Sequence, residues 1–269
     1  MNKKILISLS VIAAVAAITI GGTIAYFSDT ETSTGNTFTA GSIDLKIDNT
    51  SYLNGQPVLG STWKLTDLTN QLFFNFSDLK PGDYGEDTVS LHVNNNDAWA
   101  CVTFKNLAND DNTCTEPEDA DDLPNTPGCW TTSQAGEGEL AQNLYFVFWA
   151  DMCSESPAVP GDNIYQDECD YPLMFGPASD VLNGETYTLA APGEVNVFTG
   201  EEDEPLIGSN DYYIGKAWCF GEMTVDGETG AITCNGESVD NASQSDSLTG
   251  DIIFYAEQAR NNADFVCGR

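Results

Sequence analysis

The sequence contains few residues that could perform nucleophilic or metal-dependent catalysis. His92 is the only histidine among 269 residues, so a Ser-His-Asp or Cys-His site would have to use it. The chain has neither a GxSxG nor an HExxH motif, and a histidine-rich zinc site needs more than one imidazole. Among 42 Asp and Glu residues, some pair will always lie at the separation that glycoside hydrolysis requires, so carboxylates alone indicate no enzyme. We therefore assign no catalytic residue.

Cysteine is the second residue type that could carry chemistry here. The chain has eight cysteines, and an even number is typical of an exported protein with disulfides. No CxxC pair of the kind that holds zinc is present. Spacing favours three pairs, with other pairings left open: Cys114 with Cys129, Cys153 with Cys169 and Cys219 with Cys234. This would leave Cys101 for Cys267.

The charge is strongly acidic, with a net value of −33. Nucleic acid is excluded as a partner because phosphate binding depends on lysine and arginine. Such a surface suits an extracellular protein, high salt or divalent cations. The acidic run from Glu116 to Asp122 is most simply interpreted as a solvated loop. Calcium is the one candidate cofactor, with Asp119, Asp121 and Asp122 as candidate ligands, although the EF-hand pattern is absent.

The N-terminus has the features of a secretion signal. Lys3 and Lys4 precede an apolar run from Ile5 to Ile20, and the small residues of GGTIA follow it. We predict that residues 1–25 are a signal peptide, cleaved between Ala25 and Tyr26, and that the protein is secreted. An uncleaved membrane anchor is the alternative, since the run is near the length that spans a bilayer.

The body of the chain, residues 41–269, has the pattern of short β-strands separated by Gly, Pro, Asn and Asp. We expect an all-β, jelly-roll-like two-sheet sandwich with long disulfide-bonded loop insertions. The predicted strands are Gly41–Asp48, Leu72–Phe76, Asp87–Asn95, Ala98–Phe104, Leu144–Trp149, Thr186–Ala190, Tyr212–Phe220 and Ile252–Ala256. Asn183-Gly184 and Asp226-Gly227 predict hairpin turns. The predicted insertions are Asn106–Ala141 and Met152–Leu182.

Two stretches resemble a known family. The leader and first strand, GGTIAYFSDTETSTGNTFTAGSIDLKI (residues 21–47), and the turn and strand FSDLKPGDYGEDTVSLHVNNN (residues 76–96) are similar to the TasA/camelysin family of secreted matrix-fibre proteins. The cysteine-rich remainder departs from that family's usual cysteine-poor pattern. Members of the family are processed by a dedicated signal peptidase. Camelysin-like members have been classed as metalloproteases, a role that the absence of HExxH argues against here.

The resemblance implies a subunit that forms homo-oligomeric extracellular filaments by donor-strand exchange. Residues 26–40 would be the donor segment, which completes the sheet of the next subunit through main-chain hydrogen bonds. The resemblance places Tyr26, Phe27, Thr30, Thr32, Thr34 and Phe38 in this donor strand. Two alternatives are a monomeric secreted protein that binds calcium or glycans at the cell surface, and a secreted hydrolase.

Overall fold

The fold is taken from a computed structural model. The structure describes residues 28–32, 43–113, 115–121, 135–155, 157–227 and 229–268. The predicted signal peptide and its cleavage site lie outside these residues. Within the described ranges, none of the helices has the length and apolar character that crossing a membrane requires.

Strands are the predominant secondary structure of the described chain. The strands are β1 (Ser28–Thr32), β2 (Asp44–Leu53), β3 (Gln56–Pro57), β4 (Trp63–Thr66), β5 (Tyr84–Asn94), β6 (Ala98–Asp110), β7 (Leu144–Ala150), β8 (Tyr171–Pro177), β9 (Thr186–Ala190), β10 (Asn210–Phe220), β11 (Glu222–Val225), β12 (Ile232–Asn235) and β13 (Ser247–Gln258). In the described ranges, three short helices, α1 (Glu116–Asp121), α2 (Leu140–Asn143) and α3 (Ala178–Val181), and a 3₁₀ turn at Asn241–Ser243 lie between the strands.

The strands form two main sheets that pack face to face. The smaller sheet has the order β1-β13-β6-β9, and the larger has the order β3-β2-β5-β10-β7-β8, with β4 paired to β2. The strand pairs of both sheets are antiparallel. The expected all-β sandwich is therefore confirmed.

Alternation of apolar and polar residues explains the faces of the strands. In β5, Val89, Leu91 and Val93 are buried and belong to the main core between the sheets. Because successive side chains of a strand point to opposite faces, this register also turns Asp87 inward. The main core is closed by aromatic contacts across the sandwich, such as Phe104 of β6 with Phe148 of β7 at a ring separation of 5.6 Å.

The outer face of the larger sheet is also covered. Trp149 and Ala217 are buried there with Val147, and the hairpin formed by β11 and β12 packs over them. The loop that follows β7 contributes Tyr165, whose ring lies 5.8 Å from that of Trp149. The central strands of this sheet are therefore buried on both faces.

One predicted strand is wrong. Residues 72–76 run without ladder pairing between β4 and β5. Their aromatic side chains fill the core edge instead: Phe73 packs on Phe254, Phe74 on Phe146 and Phe76 on Trp218. These residues have the apolar pattern of a strand because their Phe side chains are buried, although their backbone is not paired.

The predicted turns and insertions need correction as well. Asp226-Gly227 does begin the connection between β11 and β12. Asn183-Gly184 instead connects α3 to β9, so it is not a hairpin turn. The insertion predicted at Met152–Leu182 contains a paired strand, β8, and the one predicted from Asn106 begins with the end of β6.

Three disulfides are present among the described residues: Cys101 to Cys267, Cys153 to Cys169, and Cys219 to Cys234. The second and third are pairs that spacing favours, and the first is the pair predicted by remainder. The predicted Cys114–Cys129 pair lies outside the described residues. The first bond joins β6 to the C-terminal segment, the second closes the loop after β7, and the third joins β10 to β12.

The number of residues between the two cysteines predicts how much each disulfide contributes to the free energy of unfolding. Cys101 and Cys267 are separated by 166 residues, against 15 for Cys219 and Cys234. In the chain-entropy model, replacing the first pair with alanine costs about 5 kcal/mol of unfolding free energy, and replacing the second costs about 3 kcal/mol. Chemical denaturation of the two double variants against the wild-type protein measures this difference. Equal losses would contradict the dominance of unfolded-state entropy.

Candidate functional site

The segment predicted as a donor strand begins with a paired strand at the edge of the smaller sheet. Strand β1 pairs antiparallel with β13, with Ser28 opposite Glu257 and Thr32 opposite Ile253. On its other side β13 pairs with β6. The outer edge of β13 in the described chain is therefore occupied by the chain's own N-terminal segment.

The placement of the predicted donor residues can be stated for two of them. Thr30 and Thr32 lie in β1. Tyr26, Phe27, Thr34 and Phe38 lie outside the described residues. Family resemblance identified the segment, but nothing in the sequence indicated that its partner would be β13 of the same chain.

The acceptor strand is anchored firmly in the core. Ile252, Phe254 and Ala256 of β13 are buried, and the ring of Phe254 lies 5.7 Å from that of Phe73. The neighbouring strand β6 is joined to the C-terminal segment by the Cys101–Cys267 bond. β13 thus presents its outer edge from a rigid support.

His92 lies on the outer face of the larger sheet between two carboxylates. Its Nδ1 is 2.5 Å from Oδ1 of Asp211, and its Nε2 is 3.5 Å from Oδ2 of Asp48. The nearby Ser90 hydroxyl donates to Asp48 at 2.7 Å. A nucleophilic serine must instead donate to the imidazole, so these three residues are not arranged as a catalytic triad.

Of the predicted calcium residues, Asp121 is the one whose side chain lies among the described residues. Asp121 is exposed at the end of α1, where its carboxylate accepts hydrogen bonds from the backbone and side chain of Asn241. Asp119 lies within α1, and Asp122 lies outside the described residues. A different group, Asp111, Glu118 and Asp246, places carboxylate oxygens within 4.8 Å of one another. Burial, with the charges of Asp111 and Asp246, raises the pKa of Glu118.

Carboxylates organise the loop that follows β7. Asp151 accepts hydrogen bonds from the backbone N–H groups of Gly161 and Asn163, at 3.0 and 2.8 Å. Asp170 accepts from three backbone N–H groups in the same loop, those of Met152, Cys153 and Gln166. Burial raises the pKa of Asp151 to about 7 despite its two donors, and it raises the pKa of Asp170 as well.

Sequence reasoning missed a buried lysine and aspartate that face each other in the core. Lys216 of β10 lies directly opposite Asp87 of β5, and both side chains are almost completely buried. Lys216 Nζ is 3.3 Å from Asp87 Oδ2. The alternation that places Val89 and Leu91 inward also turns Asp87 inward. The sequence alone could therefore have indicated that Asp87 is buried.

Comparison with known families finds a match in the first part of the chain. Residues 1–104 match the family model described as camelysin metallo-endopeptidase. No curated protein matches the chain. The match supports the TasA/camelysin assignment. It extends through β5 and into β6, so the segment containing β1 and the turn before β5 fall within the matched region, while β7 to β13 lie beyond it.

The raised pKa of Asp151 predicts a pH-dependent stability. A carboxyl whose pKa is higher in the folded protein stabilises the fold below its unfolded value, and this contribution is lost as pH rises through the folded value. We expect the free energy of unfolding to fall between the ordinary value of 3.8 and about 7. Chemical denaturation at several pH values measures the fall.

Two substitutions isolate the contribution of Asp151. Asp151→Asn should make the pH profile flatter, because an amide does not titrate in this range. Glu155→Gln, which changes an exposed carboxylate in the same loop, should leave the profile unchanged. An unchanged profile in Asp151→Asn would show that the decline arises elsewhere.

The acidic surface predicts that salt stabilises the fold. A net charge of −33 produces repulsion in the compact state, and counterions screen it. We expect Tm to rise with NaCl. Measuring Tm in CaCl2 at matched ionic strength tests the cluster at Glu118. If calcium raises Tm more than NaCl does, and if this extra rise is lost in Glu118→Gln but kept in Asp121→Asn, the cluster is a specific calcium site. A Tm that responds to neither salt would contradict the role of acidity.

Proposed function

We propose that the protein is a structural subunit of an extracellular filament, and that it assembles by donor-strand exchange of its N-terminal segment. The TasA/camelysin match over residues 1–104 supports the class of protein. The observation that carries the proposal is the pairing of β1 with the outer edge of β13. Export to the cell surface or medium, and removal of residues 1–25 by a signal peptidase, are parts of the same proposal.

The position of β1 makes exchange physically simple. β1 is the edge strand of its sheet, so its withdrawal breaks no pairing between other strands. The ladder that it leaves open runs from Ile253 to Glu257 of β13. The same segment of another subunit can fill that edge with the same antiparallel register, as in domain swapping and strand addition.

Processing would control when exchange begins. The proposed cleavage site precedes Tyr26, only two residues before β1 begins at Ser28. While the leader is attached, β1 is bound to a membrane-inserted segment, and it cannot reach a neighbouring subunit freely. Cleavage releases it. An unpaired β13 edge is a template for another strand, so assembly removes an aggregation hazard as well.

The proposal includes no catalytic activity, although the matched family model is described as a metallo-endopeptidase. The chain has no HExxH motif and a single histidine. That histidine is placed between Asp48 and Asp211, and the adjacent Ser90 hydroxyl donates to Asp48 instead. This geometry favours a structural role for the histidine in the sheet.

Cysteine trapping can distinguish exchange from pairing within one chain. Thr32 and Ile253 are direct cross-strand partners, and Cβ atoms at such positions lie about 4.5 to 5.5 Å apart, close to disulfide range. We expect the double variant Thr32→Cys and Ile253→Cys to form a ladder of covalent multimers under non-reducing denaturing electrophoresis of assembled protein. Reduction should collapse the ladder to monomer.

Matched controls test the register and the mechanism. Thr32→Cys with Glu257→Cys places the cysteines four residues out of register, and it should give little cross-linking. Replacing both Thr30 and Glu31 with proline must remove at least one ladder donor, because successive amides of an edge strand alternate in direction. This variant should remain folded and fail to form filaments in electron microscopy. A cross-link confined to monomers would refute exchange and favour the monomeric secreted binder.

A further inference from the structure

The pair formed by Lys216 and Asp87 lies in an environment that suits neither charge. Both residues have a relative exposure of 0%. Lys216 Nζ lies 3.9 Å from the ring centroid of Phe74 and 5.4 Å from that of Phe73. Around it, the inward residues of the adjoining strands are apolar, among them Val89 and Ile214.

The contacts of the pair do not satisfy two ions. An ammonium group has three donors. Within the described chain, however, neither Lys216 Nζ nor Asp87 Oδ2 has a hydrogen-bond partner of acceptable geometry, although the two atoms lie 3.3 Å apart. A buried ion pair that lacks further hydrogen bonds recovers little of its desolvation cost. Burial lowers the pKa of Lys216 and raises the pKa of Asp87, so the site favours a neutral amine beside a neutral carboxyl group.

The two oxygens of Asp87 have different surroundings. Oδ1 lies 3.5 Å from the Asn49 side-chain nitrogen, which donates to it, and the Ser51 side chain also hydrogen bonds to the carboxyl group. Ser51 is free to donate because its own oxygen accepts from the Ser61 hydroxyl at 2.9 Å. Oδ2 faces the amine. Oδ1 is therefore polarised by the Asn49 donor, while Oδ2 lies beside the amine nitrogen.

We propose that Lys216 and Asp87 form an intramolecular isopeptide bond. The lone pair of Nζ attacks Cγ of the Asp87 carboxylic acid, and negative charge develops on Oδ1, to which Asn49 donates a hydrogen bond. Oδ2 leaves as hydroxide and takes a hydrogen from Nζ, so that one water molecule is released. The product has one Nζ–Cγ amide bond, and the step needs no oxidant or reductant.

The product fits the site better than the reactants do. Condensation replaces two ionisable groups with a neutral amide, which has one donor and one acceptor. The acceptor, derived from Oδ1, keeps the hydrogen bond from Asn49. The bond would link β5 to β10 at a point where these strands are already in register.

The mass of the wild-type subunit tests the proposal directly. The subunit, isolated with its N-terminus determined, is denatured and its disulfides are reduced before intact mass spectrometry. We expect a mass lower than the sequence mass by one water. Peptide mapping should recover a branched peptide in which Lys216 is joined to Asp87. Recovery of both residues in separate linear peptides would overturn the proposal, even if a water were missing elsewhere in the chain.

Variants assign the roles of the individual groups. Lys216→Met should have the full sequence mass, and Lys80→Met, which removes an exposed lysine, should keep the deficit of one water. Asn49→Leu should slow formation of the bond by roughly 100-fold if Asn49 stabilises the developing charge. A deficit of one ammonia with Lys216 joined to Asn49 would overturn the assignment to Asp87. The wild-type map decides the matter even where a variant fails to fold.

Discussion

Burial of β10 on both faces is the constraint that the rest of the structure follows. This strand pairs with β5 on one side and with β7 on the other, and its side chains alternate between the sandwich core and the outer cluster. At two pairs the fit requires glycine: Trp218 covers Gly85, and Trp149 covers Gly215, where an added Cβ would collide with each indole. Between these positions the inward register admits Lys216, which must then find its partner on β5.

The covering of the outer face explains why the loops are long and disulfide-bonded. A sandwich normally leaves that face to solvent, but here Trp149 is buried by Tyr165 and by the hairpin formed by β11 and β12. The covering segments are a loop and two strands of four residues each. Cys153–Cys169 and Cys219–Cys234 restrict them, and carboxylates such as Asp151 and Asp170 bind their backbone N–H groups. Part of the acidity of the chain is therefore structural.

Periodicity predicted the strands that pack on one core face and failed where burial had another origin. Strand β9 was predicted with its observed bounds, Thr186–Ala190. Strand β8 was missed because proline lies near each end of Tyr171–Pro177, which resembles a loop. Residues 72–76 were predicted as a strand because their Phe residues are buried, although no ladder forms. In each case the local sequence indicated whether a segment is buried or loop-like, whereas its backbone pairing depended on strands far away in the sequence.

Long-range register also decided what could be predicted of the sites. The N-terminal segment was identified from its resemblance, but its partner on β13 is at the far end of the chain. Asp87 could be placed inward from its own strand, whereas its contact with Lys216 depends on how β5 and β10 align. The same limit applies to Asp111, Glu118 and Asp246, which three separate segments bring together.

The two proposals concern different links in one mechanical path. In a filament formed by exchange, load would enter a subunit at β13, where the neighbour's β1 is bound. It would leave through the residues between β1 and β2, and β2 belongs to the other sheet, paired to β5. The main-chain ladder at β13 can be remade if it opens, but separation of β5 from β10 would expose the core. A covalent bond at Lys216 and Asp87 would protect that second ladder, which exchange leaves within the subunit.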